Sequence, residues 1–164
     1  FQPENPGVER RMLLLCFVDR DPRECWDTFA ATWGQVIVSG AGNSGNVTAM
    51  LSHFADDAVL RLDPPLPPPI RPVYQGRDEI REYLWQLVQN GFHVEAGDFY
   101  VAGNEVSWQS LVSADLFRRM GVDQAAVSSS AVIEGGQIRS MTIHYSPQAL
   151  QQMQAALAMM QAPA

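Results

Sequence analysis

Residues 58–72 read AVLRLDPPLPPPIRP, and this change from an alternating pattern to proline decides the fold class. Apolar and other side chains alternate over residues 58–63, which predicts a β-strand with Arg61 and Asp63 on the same face. Proline has no backbone N–H and is excluded from central strands. Residues 64–72 therefore predict a stiff, extended connection that ends the strand.

The glycines upstream of this strand imitate a dinucleotide-binding fingerprint. Gly40, Gly42 and Gly45 have the spacing G-x-G-x-x-G, and Asp63 follows at about the distance of a ribose-binding acid. However, apolar residues between positions 26 and 37 recur at helical spacing, so Gly40 is interpreted as the end of a helix. The proline stretch also leaves no room for the further βα units of that fold. We therefore interpret the glycines as a linker and expect no nicotinamide or flavin cofactor.

Three helices are predicted before the main sheet. The first begins at Asp21-Pro22 with a capping box, and the second is short and has Asn46 as its N-cap. The third begins at Gly76 and ends at Asn90-Gly91. Its predicted buried stripe consists of Ile80, Tyr83, Leu84, Leu87 and Val88.

From Phe92 onward the pattern is that of β-strands, most of them separated by glycine turns. The predicted strands cover residues 93–96, 99–101, 106–114, 125–133 and 138–146, and a turn is expected at Gly97-Asp98. Residues 116–124 have no assignable pattern, and residues 149–160 predict a helix. Helices followed by a long antiparallel sheet predict an α+β domain.

The length of 164 residues predicts one ordinary domain with a real hydrophobic core. We expect this α+β domain to cover residues 21–147. Residues 1–20 are expected to form an N-terminal arm or extra helix, and residues 148–164 a C-terminal helical tail.

Charge and composition exclude several classes of partner. A net charge of −7 with no basic stripe argues against nucleic acid, because phosphate contacts need clustered Lys and Arg. No apolar run approaches the roughly 20 residues of a membrane span, so no membrane partner is expected. Cys16 and Cys25 match no metal motif and are interpreted as buried free thiols, with a disulfide as the alternative in an exported protein. We expect a cytoplasmic protein, although a first residue other than Met leaves secretion open.

Three motifs resemble one known superfamily. They are HFADDAVLRLDPPLPPP at residues 53–69, VYQGRDEIREYL at residues 73–84 and VIEGGQIRSMTIHYS at residues 132–146. Together they resemble the nuclear transport factor 2-like superfamily, and more narrowly the branch of ketosteroid isomerases, SnoaL-like polyketide cyclases and limonene-epoxide hydrolases. The resemblance implies a cone-shaped, curved antiparallel sheet that wraps around N-terminal helices and encloses an apolar pocket. It covers roughly residues 46–146 and implies the fold more strongly than any one reaction.

The resemblance implies a set of catalytic residues. Asp63 falls where ketosteroid isomerases have the carboxylate that moves the proton. Their hydrogen-bond donor to the developing enolate falls near Ser128, where serine is a weaker polariser than an acid. Their oxyanion-hole tyrosine belongs on the first long helix, where this chain offers Trp33 or Gln35.

The epoxide hydrolase mechanism is not expected in this chain. The Asp-Arg-Asp set of those enzymes would fall near Ser110, Val112 and Ile143, so the acid pair and its arginine are missing. Asp63 would match their water-orienting asparagine.

The resemblance also implies which side chains form the pocket wall. Met141, Ile143 and Tyr145 are expected to face inward, which places His144 on the opposite face of the strand. We expect Trp108 to join this wall. The expected substrate-binding residues are Arg61, Trp33, Trp108, Met141, Ile143 and Tyr145.

Two alternatives remain open for Asp63 and Arg61. If their shared strand face is the pocket, Asp63 is a general base, and Arg61 either favours the ionised form of Asp63 or holds an anionic substrate. If that face is solvent, the two residues form an exposed ion pair worth roughly 0–1 kcal/mol.

The expected function is that of a cofactor-free isomerase, cyclase or lyase acting on a small hydrophobic carbonyl compound, such as a polyketide, a terpenoid or a steroid-like molecule. Asp63 would be its base and Ser128 its hydrogen-bond donor. The alternative is a non-catalytic module that binds an apolar ligand or a partner protein. We expect no metal site, because the three histidines lack ligand spacing. The resemblance also implies a homodimer formed through the outer face of the sheet.

Overall fold

In this computed structural model the described residues are 46–68 and 70–161, and for residues 96–99 only the backbone is described. Several sequence predictions lie outside these residues: the N-terminal arm, the first helix, the glycine linker, Trp33, Gln35 and both cysteines. Of the helices within the described residues, none combines the length and the apolar character needed to cross a lipid bilayer.

The described part of the chain forms four helices and six strands. In chain order these are α1 (Val47–Leu51), β1 (Phe54–Leu62), β2 (Val73–Gln75), α2 (Gly76–Gln89), β3 (His93–Ala102), β4 (Glu105–Ser113), α3 (Asp115–Arg119), β5 (Ala125–Glu134), β6 (Gln137–Tyr145) and α4 (Pro147–Gln161).

All six strands belong to one curved, unclosed sheet with the order β2-β1-β6-β5-β4-β3. The prediction of an α+β fold with a curved sheet is confirmed. Four of the strand pairs are antiparallel, and β1 pairs with β6 in parallel, so the sheet is not antiparallel throughout. The parallel pair joins strands far apart in the sequence, a contact that local patterns do not report.

The helix ends follow the predicted capping signals. The Asn46 side chain accepts a hydrogen bond from the Ala49 N–H at 3.0 Å, as expected for an N-cap. Helix α2 begins at Gly76 and ends at Gln89, which confirms the predicted third helix. Helix α4 begins two residues before the predicted tail helix, and the Ser146 hydroxyl accepts from the Ala149 N–H at 3.2 Å.

Strand β1 begins at Phe54, four residues before the predicted strand. Phe54 pairs with Ile138 of β6, and the register shifts before Val59. Asp56 and Asp57 are both exposed, so the alternation of buried and exposed side chains is broken inside the strand. This irregularity concealed the first half of β1 from the period-two pattern.

The elements after the proline segment differ from the prediction at three points. The turn expected at Gly97-Asp98 is wrong, because β3 continues through these residues with an irregularity in its pairing to β4. The turns at Gly103 and at Gly135-Gly136 are present, and all three glycines have positive φ. The unassigned segment contains helix α3. Strand β2, only three residues long, follows the prolines and was not predicted.

The hydrophobic core lies between α2 and the face of the sheet that meets it, called here the inner face. Ile80 of α2 and Ala58 of β1 are both 0% exposed, and α2 packs against β1 and α1. The opposite face of the sheet is called the outer face. Alternation along β5 is regular, so successive residues of this strand lie on opposite faces.

Candidate functional site

A small enclosed cavity lies between α2 and the inner face of the sheet, with a volume of about 90 Å³. Apolar residues dominate its wall, among them Leu60, Leu87, Val94, Val112 and Met141. About 10–15 Å³ of such space is enough for one buried water, so the cavity has room for several waters or for one small organic compound. An apolar, enclosed space with few polar groups is typical of a small-molecule site.

Three residues that carry hydroxyl groups lie next to Val127 on the inner face. Val127 of β5 pairs with Ser110 of β4 on one side and with Tyr145 of β6 on the other. Ser129 lies two residues further along β5, on the same face, and pairs with Ile143. Ser110 is 8% exposed and Ser129 is 4% exposed. Val127 and the three hydroxyl-bearing residues all line the cavity.

A fourth hydroxyl comes from α2, on the other side of the cavity. Tyr83 is 2% exposed, and its ring centroid lies 4.9 Å from that of Tyr74. The Tyr145 ring contacts Phe117 of α3 edge-on at 5.9 Å, which orients it. Burial raises the pKa of the Tyr83 hydroxyl well above its ordinary value, with a smaller contribution from the nearby Tyr145. Burial also raises the pKa of Tyr145, so both hydroxyls stay protonated at neutral pH.

The charged groups lie elsewhere in the described part of the chain. Among the described residues that line the cavity, none carries a carboxylate, an imidazole or a guanidinium group. Arg77 pairs with Asp56 and Arg139 pairs with Asp57, in both cases at the protein surface. Burial lowers the pKa of His53, which favours the neutral imidazole, but His53 does not line the cavity.

A second, larger concavity of about 350 Å³ lies between the proline segment and α4. Its wall includes Pro65, Leu66, Pro67, Gln154 and Leu157. This groove is open to solvent, and its described wall offers only apolar groups and glutamine amides. We take the smaller cavity as the candidate site because it is enclosed and because several hydroxyls meet in it.

Comparison with known families agrees with this architecture. A model described as the SnoaL-like domain matches residues 24–141 of this chain. The chain belongs to the SnoaL-like family. The resemblance to the nuclear transport factor 2-like superfamily is thereby confirmed. No curated protein sequence matches this SnoaL-like chain.

Solved structures share the fold of this SnoaL-like domain at low sequence identity. A protein from Bacillus subtilis assigned as an isomerase has a TM-score of 0.61 at 12% identity, covering 79% of this chain and 94% of its own. SalBIII is an epoxide hydrolase/cyclase-like enzyme with a role in pyran ring formation in the polyether salinomycin. It has a TM-score of 0.59 at 18% identity, covering 78% of this chain and 95% of its own. The protein SMa1630 from Sinorhizobium meliloti, assigned as a polyketide cyclase, has a TM-score of 0.53 at 19% identity, covering 65% and 89%.

Four residues expected in the wall of this SnoaL-like domain line the cavity. Trp108 projects from β4, and Met141, Ile143 and Tyr145 project from β6. His144 is exposed on the outer face, as the alternation along β6 predicts. Trp33, the other expected aromatic, lies outside the described residues.

Asp63 and Arg61 do not line the cavity, which corrects the expected pocket-facing orientation. Both residues are exposed. Leu60 and Leu62 occupy the inner face of β1 and are 1% and 2% exposed, so Arg61 between them faces outward. Asp63 lies just beyond the strand end, where its N–H donates to the Ile143 carbonyl at 3.1 Å. Arg61 and Asp63 were correctly predicted to share one face of the chain, but α2 covers the opposite face, which carries Leu60 and Leu62.

Ser128 also lies on the wrong face for the expected role. It is half-buried on the outer face, where it pairs with His144 and Gln109. Its neighbour Ser129 occupies the cavity wall instead. The expectation was therefore wrong by one residue, and a shift of one residue exchanges the two faces of a strand.

Sequence reasoning missed three polar groups of this site. Ser129 alternates with Val127 and Ala131, and this pattern could have placed it on the buried face. Tyr83 was expected in the buried stripe of its helix, but only as a core residue. Ser110 was considered only as a position without an acid. Nothing local in the sequence shows that these hydroxyls meet in one cavity.

Proposed function

We propose that this SnoaL-like domain binds a small apolar ligand in the cavity between α2 and the inner face of the sheet. The observation that carries the proposal is the group of hydroxyls from Ser110, Ser129 and Tyr145 around Val127, within an otherwise apolar wall. A hydroxyl can donate one hydrogen bond and accept others, so these groups can orient a ligand that has one polar atom. The volume of about 90 Å³ limits this ligand to a small compound.

Binding is favoured over general-base catalysis by the composition of the wall. Abstraction of a proton next to a carbonyl needs a base within hydrogen-bond reach of that proton. The described wall residues supply neutral donors but no carboxylate or imidazole. The cavity as described thus supports stabilisation of an oxygen atom better than removal of a proton.

The second candidate function is proton-transfer catalysis, as a cofactor-free isomerase, cyclase or lyase acting on a small hydrophobic carbonyl compound. Membership of the SnoaL-like family supports it, as do fold relatives assigned as an isomerase and a polyketide cyclase. Asp63 is the acid that the superfamily resemblance implies for this role, although its side chain is exposed at the end of β1. Asp63 would act as the base after its side chain turns inward from the end of β1.

A single substrate analogue separates the two candidates. Methyl propyl ketone is small and apolar, and its protons next to the carbonyl exchange with deuterium when a base removes them. We expect saturable binding that perturbs the methyl signals of Met50 and Met141, which line the cavity, in a carbon-13 methyl-labelled sample. Absence of any such perturbation would refute the proposed binding function.

Exchange of the ketone protons in deuterated buffer then tests catalysis. If the protein accelerates exchange, Asp63→Asn should abolish the acceleration and leave affinity within about threefold, because the amide cannot accept the proton. Asp123→Asn, at an exposed acid after α3, is the matched control. Binding without acceleration leaves the module as a binding protein for this ligand. Acceleration that survives in Asp63→Asn would exclude Asp63 as the base.

We also propose that two copies of the chain associate through the outer face of the sheet. The superfamily resemblance implies such a homodimer. Ser107, Ser130 and Thr142 form one cross-strand row on that face, and all three are uncharged and half-buried. The small side chains of this row allow close approach of a second sheet at the middle of the curved outer face.

A further inference from the structure

The polar groups of the cavity wall share one property that bears on the kind of ligand. They are the hydroxyls of Ser110, Ser129, Tyr83 and Tyr145 and the indole of Trp108. Each is electrically neutral, and each can donate a hydrogen bond. In the described part of the chain, the buried polar or charged residues other than tyrosine and tryptophan are Ser110 and Ser129 alone.

The charged side chains cannot serve the cavity from their observed positions. Arg77, whose side chain is 35% exposed, is held by Asp56 and by the Leu51 carbonyl. Arg61 faces outward from β1 and is exposed. An anion placed among the wall residues would therefore lose its hydration without gaining a cationic partner, and such burial is strongly unfavourable.

A neutral hydrogen-bond acceptor, in contrast to an anion, can be buried in this cavity without a cationic partner. A ketone, aldehyde or amide oxygen costs far less to desolvate than an anion, and one hydrogen bond can compensate that cost. Residues that can donate such a bond lie on both sides of the cavity, on the sheet and on α2. Ser129 and Tyr145 lie on neighbouring strands at diagonal positions of one face, a separation within reach of a long aromatic side chain, and both line the cavity.

We propose that the cavity selects neutral compounds with a single hydrogen-bond acceptor, and that it rejects carboxylates of the same size and shape. Ser129 and Tyr145 are the residues that determine this selectivity. The inference rests on the proposed binding function, and it adds the chemical class of the ligand. It also predicts that a ligand acid binds only in its protonated form.

Three compounds of matched shape test the selectivity: methyl propyl ketone, butyramide and butyrate. Each is titrated at neutral pH into protein with carbon-13-labelled methionine methyl groups. Met50 and Met141 report the cavity, whereas Met159 and Met160, 74% and 68% exposed, report non-specific effects. We expect the ketone and the amide to bind at least about tenfold more tightly than butyrate, because only the anion must be desolvated without a partner.

The outcomes separate this inference from the proposed function. If none of the three compounds shifts Met50 or Met141, the cavity does not bind such ligands and the proposed function fails. If butyrate binds within tenfold of the ketone, the cavity does bind ligands but the selectivity inference is overturned.

Substitutions test the assigned residues. Ser129→Ala should weaken ketone binding by about threefold to tenfold, the loss expected for one hydrogen bond. Ser128→Ala removes the neighbouring hydroxyl on the outer face and should leave affinity unchanged. Tyr145→Phe should weaken ketone binding to a similar extent, because it removes the hydroxyl and keeps the ring that packs on Phe117. Retention of the methionine methyl spectrum shows that each variant is folded, and equal affinities of Ser129→Ala and Ser128→Ala would overturn the assignment.

Discussion

Ser128 and Ser129 are adjacent in β5 and lie on opposite faces of the sheet, Ser129 against the cavity and Ser128 opposite His144 on the outer face. The side-chain period of a strand is two, so this one-residue difference separates the cavity from the outer surface. The two serines thus provide a matched pair of positions with the same chemistry in different surroundings.

Gly91 connects α2 to β3 and has a φ of 60°. A Cβ at this position would lie 2.9 Å from Oδ2 of Asp115, which is itself paired with Arg118. We expect Gly91→Ala to lower the free energy of unfolding by more than the roughly 1–2 kcal/mol of a left-handed alanine, because the Asp115 carboxylate must also move.

The control for this prediction is Gly103→Ala. Gly103 has a similar φ of 64°, and a Cβ there meets nothing within 4 Å. Urea unfolding measures the loss in free energy of unfolding for both variants, and the difference between the two losses is the cost of the clash with Asp115. In an Asp115→Ala background this difference should disappear. Equal losses for Gly91→Ala and Gly103→Ala in the parent chain would contradict the steric account.

The buried tyrosines predict how stability depends on alkaline pH. Burial raises the pKa of Tyr83 and Tyr145 above the ordinary value near 10, so the folded state keeps protons that the unfolded state releases. Tyrosine ionisation therefore leaves the free energy of unfolding unchanged below about pH 9. That free energy falls as the pH rises above about 10. Each tyrosine adds up to about 1.4 kcal/mol per pH unit to that fall.

Urea unfolding at several pH values, with a Tyr83→Phe variant, checks this prediction. All eleven Lys and Arg positions of the chain are arginine, so no lysine titrates in this range, and the Tyr83→Phe variant separates the tyrosine part of the slope from any thiol part. Tyr83→Phe should reduce the slope by about one proton, because phenylalanine has no hydroxyl to ionise. A slope unchanged by the substitution would show that Tyr83 ionises in the folded state as it does in the unfolded one.

Arg77 links α2 to β1 and to the end of α1, and α2 covers the cavity. Its guanidinium donates to Asp56 of β1 at 3.1 Å and to the Leu51 carbonyl at the end of α1 at 3.3 Å. We expect Arg77→Met to lower the free energy of unfolding by about 1–3 kcal/mol, because both acceptors lose a charged donor.

Arg81→Met on the same helix is the control, since Arg81 forms only an exposed pair with Asp78. Its loss should stay below about 0.5 kcal/mol. Thermal or urea unfolding measures both variants, and similar losses would mean that the Arg77 contacts contribute no more than a surface ion pair.

The proposed homodimer predicts a charge effect on the outer face. Ser130 lies in the middle of that face, between Ser107 and Thr142. Ser130→Glu would place two like charges near each other in a symmetric interface, so we expect dissociation to monomers in sedimentation velocity. Gln151→Glu, at an exposed position of α4, should leave the dimer intact. Sedimentation of the parent chain as a monomer would refute the outer-face contact.

The sequence by itself determined the local elements and the family. The stripe from Ile80 to Val88 predicted α2, the Asn46 cap predicted α1, and the motifs around the prolines indicated the superfamily that the family match confirms. These signals are local, because capping and helical or strand periodicity depend on residues a few positions apart.

Only the tertiary structure decided which face of each strand meets the cavity. Alternation divides a strand into two faces but does not say which face another element covers, and so Asp63 and Ser128 were expected in the cavity while Ser129 occupies it. The parallel pairing of β1 with β6 likewise joins residues distant in the chain. Packing of α2 against the sheet settles these choices, because burial of apolar area depends on the whole assembled core and not on any single segment.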